Sequence, residues 1–174
     1  MCRVQPKTVV RLVSAQKQAG SPSGTHPMLP GADKTTSESE WRKKLSSGEY
    51  HVLRQKGTEP QGGEYDAFYP KPTEGYFACR GCAAPLYSAE AKFKSGCGWP
   101  AFDKCYKGSV ETTTDTSHGM QRIEITCAQC AGHLGHVFVG ERMTPTNERH
   151  CVNSVSVKFV KGPSPVSDEH KVTA

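Results

Sequence analysis

No run of about 18 apolar residues occurs in the 174-residue chain, so no segment reads as a membrane-spanning helix. Residues 1–20 also lack the continuous stretch of roughly 7–15 apolar residues that a secretory signal needs, and an oxidising compartment is therefore not assumed. Hydrophobic residues make up only 35% of the chain and aromatics 8%, against 17 Gly and 12 Pro, which points to one small, loop-rich core. Acids are absent from residues 1–32, which hold four Lys/Arg, while the remainder carries 18 Lys/Arg against 17 Asp/Glu. The formal charge of +5 thus belongs mainly to the arm, and a nearly neutral body argues against a broad nucleic-acid-binding face.

The acid-free segment 7–17 (KTVVRLVSAQK) is basic and partly amphipathic, the pattern of an organelle transit peptide or of a disordered tail. Residues 1–36 are accordingly read as a disordered or targeting arm, 37–162 as one domain and 163–174 as a flexible tail. The location stays open between cytoplasm, mitochondrion and plastid, with secretion not expected. Ser37 with Glu40 three residues later forms a capping box that opens a helix carrying Trp41 and Leu45, with Gly48 expected to end it. Segment 57–75, rich in Gly, Pro and Glu, reads as a long surface loop.

Short strand-like segments occur at 75–78, 109–114, 120–126, 136–139 and 153–160. In the last, Val155, Val157 and Phe159 alternate with Ser154, Ser156 and Lys158, so a half-buried strand with a polar outer face is expected. Gly-containing turns without helix–strand alternation point to a mainly antiparallel β domain with one or two small helices.

Against this spare background the eight cysteines, at 2, 79, 82, 97, 105, 127, 130 and 151, stand out. Cys79, Cys82, Cys127 and Cys130 form two C-x-x-C knuckles, in each of which a tight turn brings two thiolates to bear on one ion. Together they make a tetrahedral sulfur site, with zinc the expected ion and iron or a pair of knuckle disulfides as alternatives. A closed four-thiolate shell has no open position, so such a site is structural. The 44 residues between Cys82 and Cys127 mean that it would join distant parts of the domain.

Cys97 is flanked by glycines in SGCGWPAF (95–102), a poor setting for a buried hydrophobic cysteine. Cys151 lies in ERHCVNS (148–154), where Arg149 and His150 could lower its pKa toward that of a reactive thiolate. His133 and His136 in GHLGHVF (132–138) come directly after the second knuckle; they could be metal ligands, acid–base groups or loop residues.

Taken together, the knuckles, SGCGWPAF, SHGMQRIE (117–124), GHLGHVF and RHCVNS (149–154) resemble, in order and spacing, the B-type methionine sulfoxide reductases. The resemblance covers 41–162. It implies two small twisted antiparallel sheets with short peripheral helices, a structural zinc on Cys79, Cys82, Cys127 and Cys130, and thioredoxin-dependent reduction of methionine R-sulfoxide in proteins by a monomer. By the same resemblance Cys151 is the nucleophile, Cys97 the resolving cysteine and Trp99 the wall of the S-methyl pocket. His133, His136 and Asn153 would orient substrate and manage protons, with Arg122 and Glu124 as further candidates on one face of a strand. Loop 57–65 (GTEPQGGEY) departs from the family in lacking an aromatic after the proline, which touches the outer substrate rim. Cys105, and more remotely Cys2, are the alternatives to Cys97 as the resolving thiol, and otherwise have no catalytic role. A zinc-stapled binding module without chemistry would explain the knuckles, but not Cys97, the histidine pair or Arg149-His150-Cys151-Val152-Asn153.

Overall fold

A computed structural model describes residues 31–167 and 169–170; the arm segment 7–17 and Cys2 lie outside the described residues. Two successive capping boxes start the helices. Ser37 accepts from the Glu40 backbone N–H while the Glu40 carboxylate accepts from that of Ser37, opening α1 (Glu38–Lys44). Ser46 and Glu49 repeat the device for α2 (Ser47–Gln55). Each cap stabilises its helix by about 1 kcal/mol. Gly48, expected to end the first helix, instead lies in the first turn of the second; the first stops at Leu45, whose backbone is extended. Arg54 ties both helices to the second knuckle, pairing with Glu38 at 2.8 Å and donating to the Cys130 carbonyl at 3.0 Å.

The strands are β1 (Gly75–Cys79), β2 (Pro85–Ser88), β3 (Lys92–Phe93), β4 (Ala101–Phe102), β5 (Cys105–Tyr106), β6 (Val110–Asp115), β7 (Arg122–Cys127), β8 (His133–Val139), β9 (Glu148–Val152), β10 (Val157–Lys161) and β11 (Glu169–His170). All pairings are antiparallel. They build a six-stranded sheet in the order β3-β4-β9-β8-β7-β6, a three-stranded sheet β10-β1-β2 and a small β11-β5 ribbon. The mainly antiparallel architecture expected from the sequence is the one observed. The segment after Gly162, expected to be a tail, returns to the body where β11 pairs with β5.

The few aromatics are concentrated where the sheets meet: Tyr87 stacks on Phe102 at 4.2 Å, and Phe77 meets Phe102 and Phe159 edge-on or tilted at 5.0 and 5.2 Å. Such pairs add about 0.5–1.5 kcal/mol each beyond burial.

The expected strand over 153–160 begins only at Val157, because Ser154–Ser156 form a 3-10 turn and Ser154 and Ser156 are buried rather than outward. Their hydroxyls are satisfied inside: Ser156 donates to the His133 carbonyl at 2.9 Å and Ser154 accepts from the Tyr65 N–H at 3.2 Å. Alternation of small polar and apolar residues therefore marks hydrogen-bonded burial here, not an outer face.

Candidate functional site

The first knuckle leaves β1 and the second leaves β7, and each closes on an alanine held in the left-handed region, Ala83 (φ 68°) and Ala131 (φ 59°). The reversed chain is fixed by Ala83 N–H to Cys79 O at 2.9 Å and Ala131 N–H to Cys127 O at 2.8 Å. All four thiols are buried and lie within 4.8 Å of one another, with Cys79 Sγ to Cys130 Sγ at 3.7 Å and Cys82 Sγ to Cys127 Sγ at 3.6 Å. A tetrahedral zinc with bonds of about 2.3 Å demands sulfur separations of about 3.8 Å. The cluster thus has the dimensions of a four-thiolate metal site and could hold such an ion.

A second pair of thiols is separate from this knot. Gly96 (φ 77°) and Gly98 (φ 89°) give the turn around Cys97 a left-handed course that side chains rarely adopt. That turn delivers the Cys97 sulfur to 3.7 Å from Cys151 on β9. The Cys151 thiol beside it, and then the Ser95 hydroxyl, hold Cys97 down at about 5 against the effect of burial. Cys97 and burial in turn push Cys151 well above the ordinary thiol range, with Arg149 opposing.

Register carries the rest. Ala101, Cys151, His136, Glu124 and Thr113 are successive cross-strand partners, one row running from β4 across β9, β8 and β7 to β6. Period 2 puts Arg149 on the Cys151 face and His150 on the other. His150 is fully buried, bonded to Glu148 at 2.9 Å and Tyr87 at 3.3 Å. The expectation that His150 acts on Cys151 is corrected on this ground; Arg149 is the neighbouring cation, clamped by Glu141 at 2.6 and 2.7 Å over the Phe138 ring.

Each histidine is bound to a carboxylate. Asp115 bonds His136 Nε2 at 2.8 Å and is held well below the carboxylate range, first by Ser117 and then by His136. Glu124 bonds His133 Nδ1 at 2.7 Å and Lys56 at 2.7 Å. Burial alone would raise the Glu124 carboxyl, but Lys56 and His133 outweigh it and keep it low. Burial, partly offset by Glu124, keeps His133 below its ordinary value. The rings of His133 and His136 meet edge-on at 5.6 Å. Arg122 and Glu124 share a face as expected but do not pair with each other, since Arg122 goes to Asp115 at 2.8 Å.

Trp99, Arg122, His136, Phe138, Cys151 and Asn153 line a pocket of about 140 Å³. Gly135 of β8 also lines it, and only glycine fits there, since any side chain would run into the Cys151 carbonyl. Asn153 is a buried clamp, donating to Leu134 O and accepting from Glu59 N–H, both at 3.0 Å. Loop 57–65 is bound to the site at several points. Trp99 Nε1 donates to Glu59 O at 3.1 Å, Gln61 Nε2 to Cys97 O at 3.1 Å, and Gly62 N–H to Gly98 O at 2.9 Å. The Glu59 carboxylate accepts from the backbone N–H groups of Ser154 and Val155. Sequence reasoning missed Lys56, Glu59 and Asp115. Asp115 carried a usable signal, two residues before Ser117 in the quoted motif, whereas Glu59 lies in what read as loop and Lys56 just before it. Cys105 is buried on β5, its thiol pushed up to about 12 by burial.

Fold and site define a small two-sheet β protein in which a four-cysteine knot joins β1 to β7 and a separate thiol pair meets where the turn before β4 reaches β9. The comparisons give that class its family. A SelR domain matches residues 45–161, and the chain belongs to that family, the B-type peptide methionine sulfoxide reductases. It is 54% identical over 128 residues to peptide methionine sulfoxide reductase B5 of Oryza sativa subsp. japonica, covering 72% of this chain and 90% of that protein. It is 56% identical over 124 residues to the B5 protein of Arabidopsis thaliana, covering 70% and 86%. Against the chloroplastic B3 protein of Oryza sativa subsp. japonica, 51% identical over 138 residues, the match covers 78% of this chain but only 56% of the relative.

Proposed function

We propose that the protein reduces methionine R-sulfoxide in oxidised polypeptides to methionine, restoring them after oxidative damage. The observation that carries this reading is the 3.7 Å approach of Cys97 and Cys151 at a pocket walled by Trp99, Phe138 and His136. Cys151 attacks the sulfoxide sulfur as a thiolate. His136, held by Asp115 and backed by His133, supplies the proton that the oxygen takes up. The oxygen passes to Cys151, methionine leaves, and Cys151 becomes a sulfenic acid. The Cys97 thiol then condenses with it, forming the disulfide and releasing water, and an external dithiol such as thioredoxin restores both thiols. Asn153 and Glu59 act by holding Trp99 and the loop against the pocket.

Cys79, Cys82, Cys127 and Cys130 would hold a zinc ion, which supplies cross-linking and no reaction step. An organelle address for the acid-free arm belongs to the same reading, and relatives named chloroplastic support it.

The Cys97→Ser variant tests the division of labour. It is expected to complete one turnover per chain and then stall, leaving a sulfenic acid on Cys151 that dimedone traps. Unimpaired thioredoxin-driven recycling in that variant would move the resolving role to Cys105 or Cys2.

A further inference from the structure

The thiol pocket opens sideways into a larger cleft of about 630 Å³, the two sharing Thr58, Arg122 and His136. One wall is the C-terminal end of α2 and the first turn of loop beyond it, with Gln55, Lys56 and Thr58; the other runs along β6 through Thr113, Thr114 and Thr116. Its charged groups are already matched, Lys56 with Glu124 and Arg122 with Asp115. The remainder is the two carboxylate-bound imidazoles of His133 and His136, the hydroxyls of Thr58, Thr113, Thr114, Thr116 and Ser117, and the Gln55 amide, and hydroxyls and amide both donate and accept. Such a surface suits the alternating N–H and C=O groups of a main chain better than a charged side chain, and it is indifferent to sequence.

The cleft also reaches over the sheet edge. Two consecutive residues of β6, Thr113 and Thr114, line it. β6 is the outermost strand of the six, pairing with β7 alone among the described residues. Exposed edges of this length are ordinarily blunted by charged side chains, Pro or a bulge; Val110–Asp115 contains no Lys or Pro and keeps an unbroken register, and its two acids are matched, Glu111 by Lys34 and Asp115 by Arg122.

We infer that this cleft and the edge of β6, unpaired among the described residues, form a docking track for the main chain of an extended, unfolded polypeptide on one flank of the methionine sulfoxide. The inference rests on the reductase reading and extends it to where the chain that flanks the sulfoxide binds. Geometry sets its length. From β9, which carries Cys151, to β6 is three strand spacings, about 14 Å at about 4.8 Å each. An extended chain covers that distance in about four residues at about 3.3 Å per residue. The edge would add main-chain hydrogen bonds in the manner of strand addition.

The test compares N-acetyl methionine sulfoxide amide with peptides extended by two, four and six neutral residues on one flank and then on the other. In wild-type protein KM is expected to fall about fivefold or more once one flank reaches about four residues, with kcat little changed. Thr113→Trp and Thr116→Trp, which fill the cleft, are expected to lose that gain while their kcat/KM on the small amide stays within about twofold of wild type. A wild-type KM independent of length on both flanks, or a length gain kept in both Trp variants, would overturn the track. Wild-type protein inactive on the amide and on every peptide would instead bring down the reductase reading itself, and the track with it.

Discussion

Replacing Cys151 with serine is expected to abolish methionine sulfoxide reduction, by at least about a thousandfold, as removal of a nucleophile does. The fold and the metal content should survive, because Cys151 is half-exposed at the pocket, lies apart from the four-cysteine knot, and serine is of similar size. The wild-type protein should consume the R epimer and leave the S epimer, read by chiral chromatography. Ordinary turnover by Cys151→Ser would remove the nucleophile assignment, and preferential loss of S would remove the stereochemical one.

An effect of comparable size is expected at the knot, through folding rather than chemistry. Its four thiols join β1 to β7, and the second knuckle runs directly into β8, which carries both histidines. A structural zinc contributes on the order of 10 kcal/mol to folding, as large as the whole stability of a typical domain. Cys127→Ser should therefore lose metal, soluble yield and activity in parallel, while Cys97→Ser and Cys151→Ser keep about one zinc per chain. Elemental analysis decides it. Zinc lost from Cys151→Ser and kept in Cys127→Ser would mean that the metal sits at the reacting thiols.

Much of this was legible in the chain because the informative groups are local. A C-x-x-C turn brings its own two sulfurs together, and a capping box is complete within four residues, so the knuckles and the start of α1 could be read directly. Cys97 and Cys151 stood out by their neighbours, but that they meet depends on β4 pairing with β9, and nothing local states it. β9 itself was not read as a strand, since Glu148-Arg149-His150-Cys151-Val152 has one β-branched residue and three charged or titratable side chains before Cys151. Those side chains are tolerated because Arg149 finds Glu141 and because Glu148 and His150 pair in the core. His150 was misassigned for the same reason: without the strand, nothing showed that adjacent residues face opposite ways. Glu59 was invisible because its role is to bind backbone N–H groups 95 and 96 residues away, and a long-range cap leaves no local pattern.

The central claim is that Cys151 takes the oxygen from the substrate and passes its oxidation to Cys97. One measurement tests it most directly: mass spectrometry of protein mixed with excess methionine sulfoxide peptide and no reductant, with both components mapped. The account predicts that the peptide loses about 16 Da in an amount matching the protein and that a new disulfide joins Cys97 to Cys151. An unchanged peptide, or a disulfide joining Cys151 to Cys105 or Cys2 with Cys97 still free, would contradict it.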